Sequence, residues 1–251
     1  MCGNEKQKVS AIILAAGKGK RMKSDVAKVL HTLCGKPMLT YSVDAARALN
    51  VEKIVVIIGH QAGLVRETFK DEDLIFVEQR EQLGTGHAVL QARDVFHSYD
   101  GTILILCGDV PMLSSSTIRA LLEVHILEKS VVTVLTTILD DPSGYGRVIQ
   151  EGDKREILRI VEEKDASPAE KKIREINTGI YCVESNFLFG AVSAIGNENI
   201  QKEYYLTDIV GIAWKKGFKT RSFITANSYE VMGINTPDDL KRASERMTAC
   251  K

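Results

Sequence analysis

Val9 to Met22 reads VSAIILAAGKGKRM, an apolar run that passes straight into a turn of glycine and cation, with Lys28 six residues further on. All residues from Val9 to Ala16 except Ser10 are apolar. That run is too short for a membrane helix and suits a buried central strand of a parallel sheet. Gly17 and Gly19 then remove the Cβ atoms that would keep backbone N–H groups from an anion, while Lys18, Lys20, Arg21 and Lys23 supply positive charge. The segment reads as a phosphate loop at the carboxyl end of a first strand, where open α/β sheets bind ligands.

Two common phosphate loops are excluded by counting. A dinucleotide fingerprint needs glycine or alanine three residues after its second glycine, and Met22 stands there; a P-loop needs glycine, lysine and hydroxyl in succession, which is absent. Downstream, strand-like runs at 10–16, 53–59, 74–78, 102–107 and 131–138 alternate with helical patterns at 37–49, 64–70, 86–95 and 116–128. That alternation predicts an α/β fold with a mixed, mainly parallel sheet and helices on both faces. After Pro142 the texture changes to a β excursion, with strands at 146–150 and 157–162 around a turn at 151–154. The stretch 164–172 reads as a loop or one helical turn. Helix and strand then resume through 176–183, 185–195, 207–216, 219–226 and 231–234. Thr236 is the expected N-cap of a last helix, with Pro237 at its first position and Asp238 and Asp239 in its first turn. Residues 1–8 are expected to be a flexible extension and 9–251 a single domain.

Whole-chain properties narrow the function classes. With 33 basic and 33 acidic residues and 6% aromatics, there is no electrostatic footprint for nucleic acid or an anionic membrane, so the basic cluster at 18–28 is local. Cys2, Cys34, Cys107, Cys182 and Cys250 are odd in number and lack a C-x-x-C pair, which argues against a disulfide framework or zinc site and for a reducing cytoplasm. Residues 1–9 hold no apolar signal region, and no window approaches a transmembrane span. A soluble protein is expected.

Two further segments carry chemistry. Leu106-Cys107-Gly108-Asp109-Val110-Pro111 ends a strand, placing Asp109 at the same sheet edge as the phosphate loop. A carboxylate facing phosphates implies a divalent cation, and Mg²⁺ needs only one or two protein oxygens. The other reading of Asp109 is a turn cap. Gln79 to His87 forms a second glycine loop in which Gln79 and Gln82 offer amides to a base edge and Thr85 can begin a helix.

The ordered set Leu14 to Met22, Lys28-Val29-Leu30-His31, Glu81 to Ala88, Gly108-Asp109-Val110-Pro111, Asp141 to Arg147, Glu162 to Asp165, Ile176 to Gly179 and Glu203 to Asp208 resembles the uridylyltransferase domain of bacterial N-acetylglucosamine-1-phosphate uridylyltransferases. The resemblance covers about Val9 to Leu240. It implies a Rossmann-like, GT-A-like nucleotidyltransferase, with the β excursion serving the sugar. It also implies that Leu14, Ala15, Ala16 and Gly17 line the uridine pocket with Gln79, Gln82, Gly84 and Thr85. By the same resemblance Arg21 and Lys28 hold the triphosphate, Asp109 and Asn235 coordinate Mg²⁺, and Gly146, Glu162 and Asn177 bind the amino sugar. On residue type alone Asn177 reads as readily as a turn asparagine, Glu162 as a surface charge and Asn235 as the residue before a cap.

The implied substrates are UTP and N-acetylglucosamine 1-phosphate, giving a cell-wall precursor in the cytoplasm. The attacking phosphate is already anionic at neutral pH, which fits a chain without a recognisable Ser-His-Asp or Cys-His arrangement. Many members of the family continue into an acetyltransferase β-helix that also makes their trimer; no such repeat follows here, so acetyl transfer is not expected and the oligomer stays open. Lys20 stands where the loop often has threonine. Two other readings remain: a nucleotidyltransferase for another sugar-1-phosphate or nucleotide, and a non-catalytic nucleotide-binding module.

Overall fold

A computed structural model of the chain describes residues 7–152 and 155–249. The expected N-terminal extension and the turn at 151–154 fall partly outside these residues, as do Cys2 and Cys250. The elements run β1 (Val9–Ala15), β2 (Thr32–Leu33), β3 (Lys36–Pro37), α1 (Met38–Arg47), β4 (Ile54–Ile58), α2 (Ala62–Thr68), β5 (Ile75–Glu78) and α3 (Thr85–Leu90). They continue through β6 (Thr102–Cys107), α4 (Ser115–Glu128), β7 (Val132–Ile138), β8 (Arg147–Gln150), β9 (Ile157–Val161) and β10 (Glu175–Glu184). The last four are α5 (Ser185–Val192), α6 (Asp208–Lys215), β11 (Thr220–Ile224) and α7 (Pro237–Ala249).

The main sheet has the order β11-β7-β10-β6-β1-β4-β5. Every neighbour pair on that path is parallel except those of β10, which runs antiparallel to both β6 and β7. Consecutive side chains leave a strand on opposite faces, and both faces here are apolar. Ile12, Val55, Ile57, Ile103 and Ile105 pack on the side covered by α3, α5 and α6. Ala11, Ile13, Val56, Leu104 and Leu106 pack on the side of α1, α2 and α4. Each fully buried aliphatic side chain contributes about 1.5–3 kcal/mol of transfer free energy, so the sheet edge that carries the loops rests on a rigid base.

The β excursion forms as expected: β8 and β9 pair antiparallel, and Arg147 of β8 also meets Ile176 of β10. Arg147 is 1% exposed; its guanidinium donates to the Tyr145 carbonyl and to Glu163 Oε2 at 2.7 Å, tying the loop before β8 to the segment after β9. Of the expected extension, Gln7 and Lys8 are held at β6, where Gln7 Nε2 donates to Thr102 Oγ1 and the Thr102 N–H to the Lys8 carbonyl.

Two expected elements differ. The helix at 86–95 ends at Leu90 and tightens to a 3₁₀ turn at Arg93–Phe96, which keeps Val89, Ala92 and Phe96 in one buried cluster. Residues 231–234 form no strand: a 3₁₀ turn at Ser228–Val231 leads into a segment attached to β6's loop by one bond, Ile234 N–H to the Asp109 carbonyl. Beyond Cys107 the sheet has ended, so this segment has no strand to pair with. The last helix starts as predicted, with the Asp239 N–H donating to Thr236 Oγ1 while Asp239 Oδ2 accepts from the N–H groups of Asn235 and Thr236. That reciprocal cap fixes Asn235 at the head of α7.

Candidate active site

A cavity of about 710 Å³ opens at the carboxyl ends of β1 and β6. Leu14, Ala15, Ala16 and Gly17 form one wall, and Gln79, Gln82, Gly84 and Thr85 another. Lys28 and Asp109 stand in the same cavity. The hydrogen bonds decide what the two glutamines can offer. Gln79, 3% exposed, donates through Nε2 to the Gly84 carbonyl at 3.0 Å and lies 3.0 Å from His87 Nδ1. Gln82 donates through Nε2 to the Gln79 and Arg80 carbonyls. Among the described residues neither Oε1 has a hydrogen-bond partner, so each is left to accept, the complement of an imide N–H on a pyrimidine edge. Gly84 is obligatory: its φ is 113°, and a Cβ there would lie 2.6 Å from the Tyr204 carbonyl. Thr85 does begin α3, but its hydroxyl accepts from the Leu206 N–H instead of capping its own helix.

At the phosphate loop, Gly19 has φ 59°, and a Cβ would lie 2.7 Å from Lys28 Cβ. Glycine there lets the loop close against Lys28, which starts a 3₁₀ turn at Lys28–Leu30. The ammonium of Lys28 pairs with Asp109 Oδ2 and donates to Asn235 Oδ1 at 3.0 Å. Asn235 is itself held by the α7 cap and by its own Nδ2 on the Gly233 carbonyl at 3.3 Å. Sequence positions 28, 109 and 235 thus meet at one point.

Among the described residues no three His, Cys, Asp or Glu side chains converge as a metal site. The donor set that does converge is one carboxylate and one amide carbonyl, already turned toward a cation in the form of the Lys28 ammonium. Two hard oxygens of this kind fit Mg²⁺, which fills its remaining positions with water and phosphate.

The three expected sugar residues lie together but outside the lining of this cavity, and Glu162 lines a separate one with Asp165 and Asp208. A Cβ on Gly146 would be 3.5 Å from Glu162 Oε2 and 3.6 Å from Asn177 Cβ, and the Asn177 N–H donates to the Gly146 carbonyl at 2.9 Å. Glu162 Oε1 accepts from the Thr207 hydroxyl at 3.2 Å. Burial pushes the Glu162 carboxyl above its ordinary range, with Asp208, Asp165 and Glu203 adding to the effect. Arg21 does not line the 710 Å³ cavity; it is exposed, and its charge acts on the hydroxyl of Tyr145.

Several side chains at the site were read from sequence only as loop charge or not at all. Lys18 and Lys20 both line the cavity, which places the lysine that departs from the family's pattern against the ligand space. Lys164, Gln201 and Glu203 close the cavity from the far side. Lys164 and Glu203 fall inside motifs that sequence had singled out, whereas nothing around Gln201 marks it. Cys107 also lines the cavity, with its Sγ 3.4 Å from the Gly179 carbonyl, and burial next to Asp109 pushes its thiol up to about 12. It is therefore a neutral packing group and no nucleophile at ordinary pH.

A mainly parallel Rossmann-like sheet with this cavity at its carboxyl edge is the architecture in which open α/β folds bind nucleotides. Residues 10–247 match the model of the nucleotidyl transferase family, and the chain belongs to that family. It is 50% identical over 236 residues to the "Bifunctional protein GlmU" of Geobacter metallireducens, covering 94% of this chain and 49% of that protein. It is 49% identical over 237 residues to the protein of the same name from Geobacter sulfurreducens, covering 94% of this chain and 50% of that one. The chain spans about half the length of these curated relatives. A solved UDP-glucose pyrophosphorylase, complexed with UDP-glucose, shares the fold with a TM-score of 0.76 at 17% identity, over 97% of this chain and 100% of that one.

Proposed function

We propose that the chain transfers the uridylyl group of UTP to N-acetyl-α-D-glucosamine 1-phosphate, forming UDP-N-acetylglucosamine and diphosphate. The observation that carries this reading is the junction of Lys28 with Asp109 and Asn235 at the mouth of a cavity whose other wall presents two glutamine acceptors. The names and identities of the curated relatives support the same choice of reaction.

The chemistry requires one phosphate oxygen to attack the α-phosphorus while diphosphate leaves, so the obstacle is repulsion between anions and not the lack of a base. Lys28, the backbone N–H groups of the glycine loop, and Lys18 and Lys20 offset charge along the triphosphate, while Arg21, exposed outside the cavity lining, adds its charge only from a distance. The Asp109 carboxylate and the Asn235 carbonyl, which face the Lys28 ammonium here, would hold Mg²⁺ in its place, and the ion when bound would neutralise phosphate oxygens and orient the reacting groups. Gln79 or Gln82 accepts from the single imide N–H of uracil, while Leu14 to Gly17 and Gly84 bring backbone close to the base and ribose. Gly146, Glu162 and Asn177 bind the amino sugar on the β excursion, which sets its phosphate beside the α-phosphorus by positioning alone. A cytoplasmic setting belongs to the same proposal. It is supported by free Cys34, Cys107 and Cys182 and by the absence, among the described residues, of a helix long and apolar enough to cross a membrane.

Diphosphate release from UTP and Mg²⁺ is the test, with glucose-, galactose- and N-acetylglucosamine 1-phosphate supplied in turn. The expected result is release with N-acetylglucosamine 1-phosphate at least about tenfold faster than with the others, the discrimination that one unpaired polar contact produces. Preference for another sugar phosphate would replace the substrate. Release with none would leave a nucleotide-binding module and overturn the enzyme reading.

A further inference from the structure

We propose that Tyr181 is a positioning residue for the sugar phosphate: its buried hydroxyl, together with the Gly179 N–H, holds Asn177 with the amide Nδ2 facing the ligand as a hydrogen-bond donor. This inference rests on the reading of the sugar site given above.

The orientation of the Asn177 amide follows from its partners. Gly179 N–H can only donate, and it lies 3.0 Å from the side-chain atom of Asn177 that must therefore be Oδ1. The Tyr181 hydroxyl donates to the same oxygen at 2.9 Å. With both lone pairs of Oδ1 taken, the amide cannot turn over without losing the Gly179 bond and setting N–H against N–H, and the Tyr181 hydroxyl, which can donate or accept, donates once Gly179 has fixed Oδ1. Nδ2 has no hydrogen-bond partner among the described residues and belongs to a side chain that converges with Gly146 and Glu162.

The backbone is shaped for this contact. Four residues of regular strand would separate Asn177 from Tyr181 by about 13 Å, beyond the reach of a tyrosine. The register of β10 against β7 breaks between these two residues, and Gly179 at φ 81° supplies the irregularity that shortens the gap. Tyr181 itself is 1% exposed and held between β6 and β7 as the partner of Ile105 and Val134. A rigid central strand thus carries the hydroxyl to the edge of the sugar site. The group facing Nδ2 has to be an acceptor, which on this substrate class is a sugar hydroxyl or an acetamido carbonyl.

Tyr181→Phe removes one oxygen and leaves the ring in place. Measured with the sugar phosphate that wild type uses best, it is expected to raise KM for that substrate about three- to tenfold, the worth of one hydrogen bond, while KM for UTP stays within about twofold. In an Asn177→Ala background the same change is expected to have no further effect, because Tyr181 acts only through Asn177. Asn177→Asp, which keeps both bonds to Oδ1 but has no donor, is expected to raise the sugar phosphate KM as much as Asn177→Ala does, and it decides the matter if the phenylalanine variant does not fold. An unchanged sugar phosphate KM, an equal rise for UTP, an undiminished effect in the Asn177→Ala background, or a wild-type KM in Asn177→Asp would each overturn the proposal. Wild type inactive with every sugar phosphate would instead overturn the reading of the site, and this inference with it.

Discussion

Lys28 holds Asp109 and Asn235 together, and its own position depends on Gly19 having no side chain. Its side chain is 15% exposed and that of Asp109 21%, so the pair is largely withdrawn from water, where each charge depends on the other, and it fixes where two oxygens and one cation stand. Lys28→Ala and Asp109→Ala are expected to lower kcat by about two to three decades and, because each leaves its partner unpaired, to cost about 1–3 kcal/mol in urea unfolding that stays cooperative. Turnover near the wild-type value in either variant refutes the role given to that residue. At this scale the sequence was informative about residue type and silent about orientation. Gln79 and Gln82 were recognisable as amides near a base, but that each keeps its oxygen free depends on the carbonyls of Gly84, Gln79 and Arg80, which only the folded loop brings within reach. Gln201 and Glu203 reach the cavity from more than a hundred residues beyond Gln79, and no local spacing encodes such an approach.

Strand β10 shows both what pattern reveals and what it leaves out. Its apolar run is plain in the sequence, and so is the alternation that places β1, β4, β5 and β6 side by side. Its antiparallel insertion between β6 and β7 is not, because direction depends on the β excursion that returns the chain to the opposite end of the sheet. The far end of β10 carries a polar cluster within the apolar sheet. His125, 1% exposed on α4, has Nε2 2.9 Å from Glu184 Oε1 and Nδ1 2.8 Å from Thr133 Oγ1, and Thr102 donates to the same glutamate oxygen at 3.0 Å. The bond from His125, and then that from Thr102, holds the Glu184 carboxyl below its ordinary range. A carboxyl depressed by folding adds stability above its unfolded value, here 4.5, and that stability is lost as pH falls through the folded value. Glu184→Gln is accordingly expected to cost about 1 kcal/mol in urea unfolding at neutral pH, with the difference from wild type shrinking below about pH 4. A difference that stays constant from neutral pH to about pH 3 would contradict the assignment.

Over the whole molecule, the site exists because chain segments far apart in sequence end at one edge of one sheet. The glycine loop leaves β1, Asp109 follows β6, and Asn235 heads the helix that packs on the β2–β3 hairpin through Leu33, Met38, Ile234 and Ala243. The ordered motifs marked Lys28, Asp109 and Asn235 in the sequence, and the fold brings these three together. The failures came where packing overrides pattern: the shortened helix at 86–95, and the unpaired segment at 231–234 that looked like strand and serves to carry Asn235. The central claim is that this edge brings a sugar phosphate to the α-phosphorus of UTP, and the most direct measurement follows that atom. UTP labelled at the α-phosphorus is incubated with the chain, Mg²⁺ and N-acetylglucosamine 1-phosphate, and the products are separated. The prediction is label in UDP-N-acetylglucosamine, formed in equal amount to unlabelled diphosphate and only when the sugar phosphate is present. Label that stays in UTP, or that appears in UMP or UDP without a sugar attached, would contradict the account.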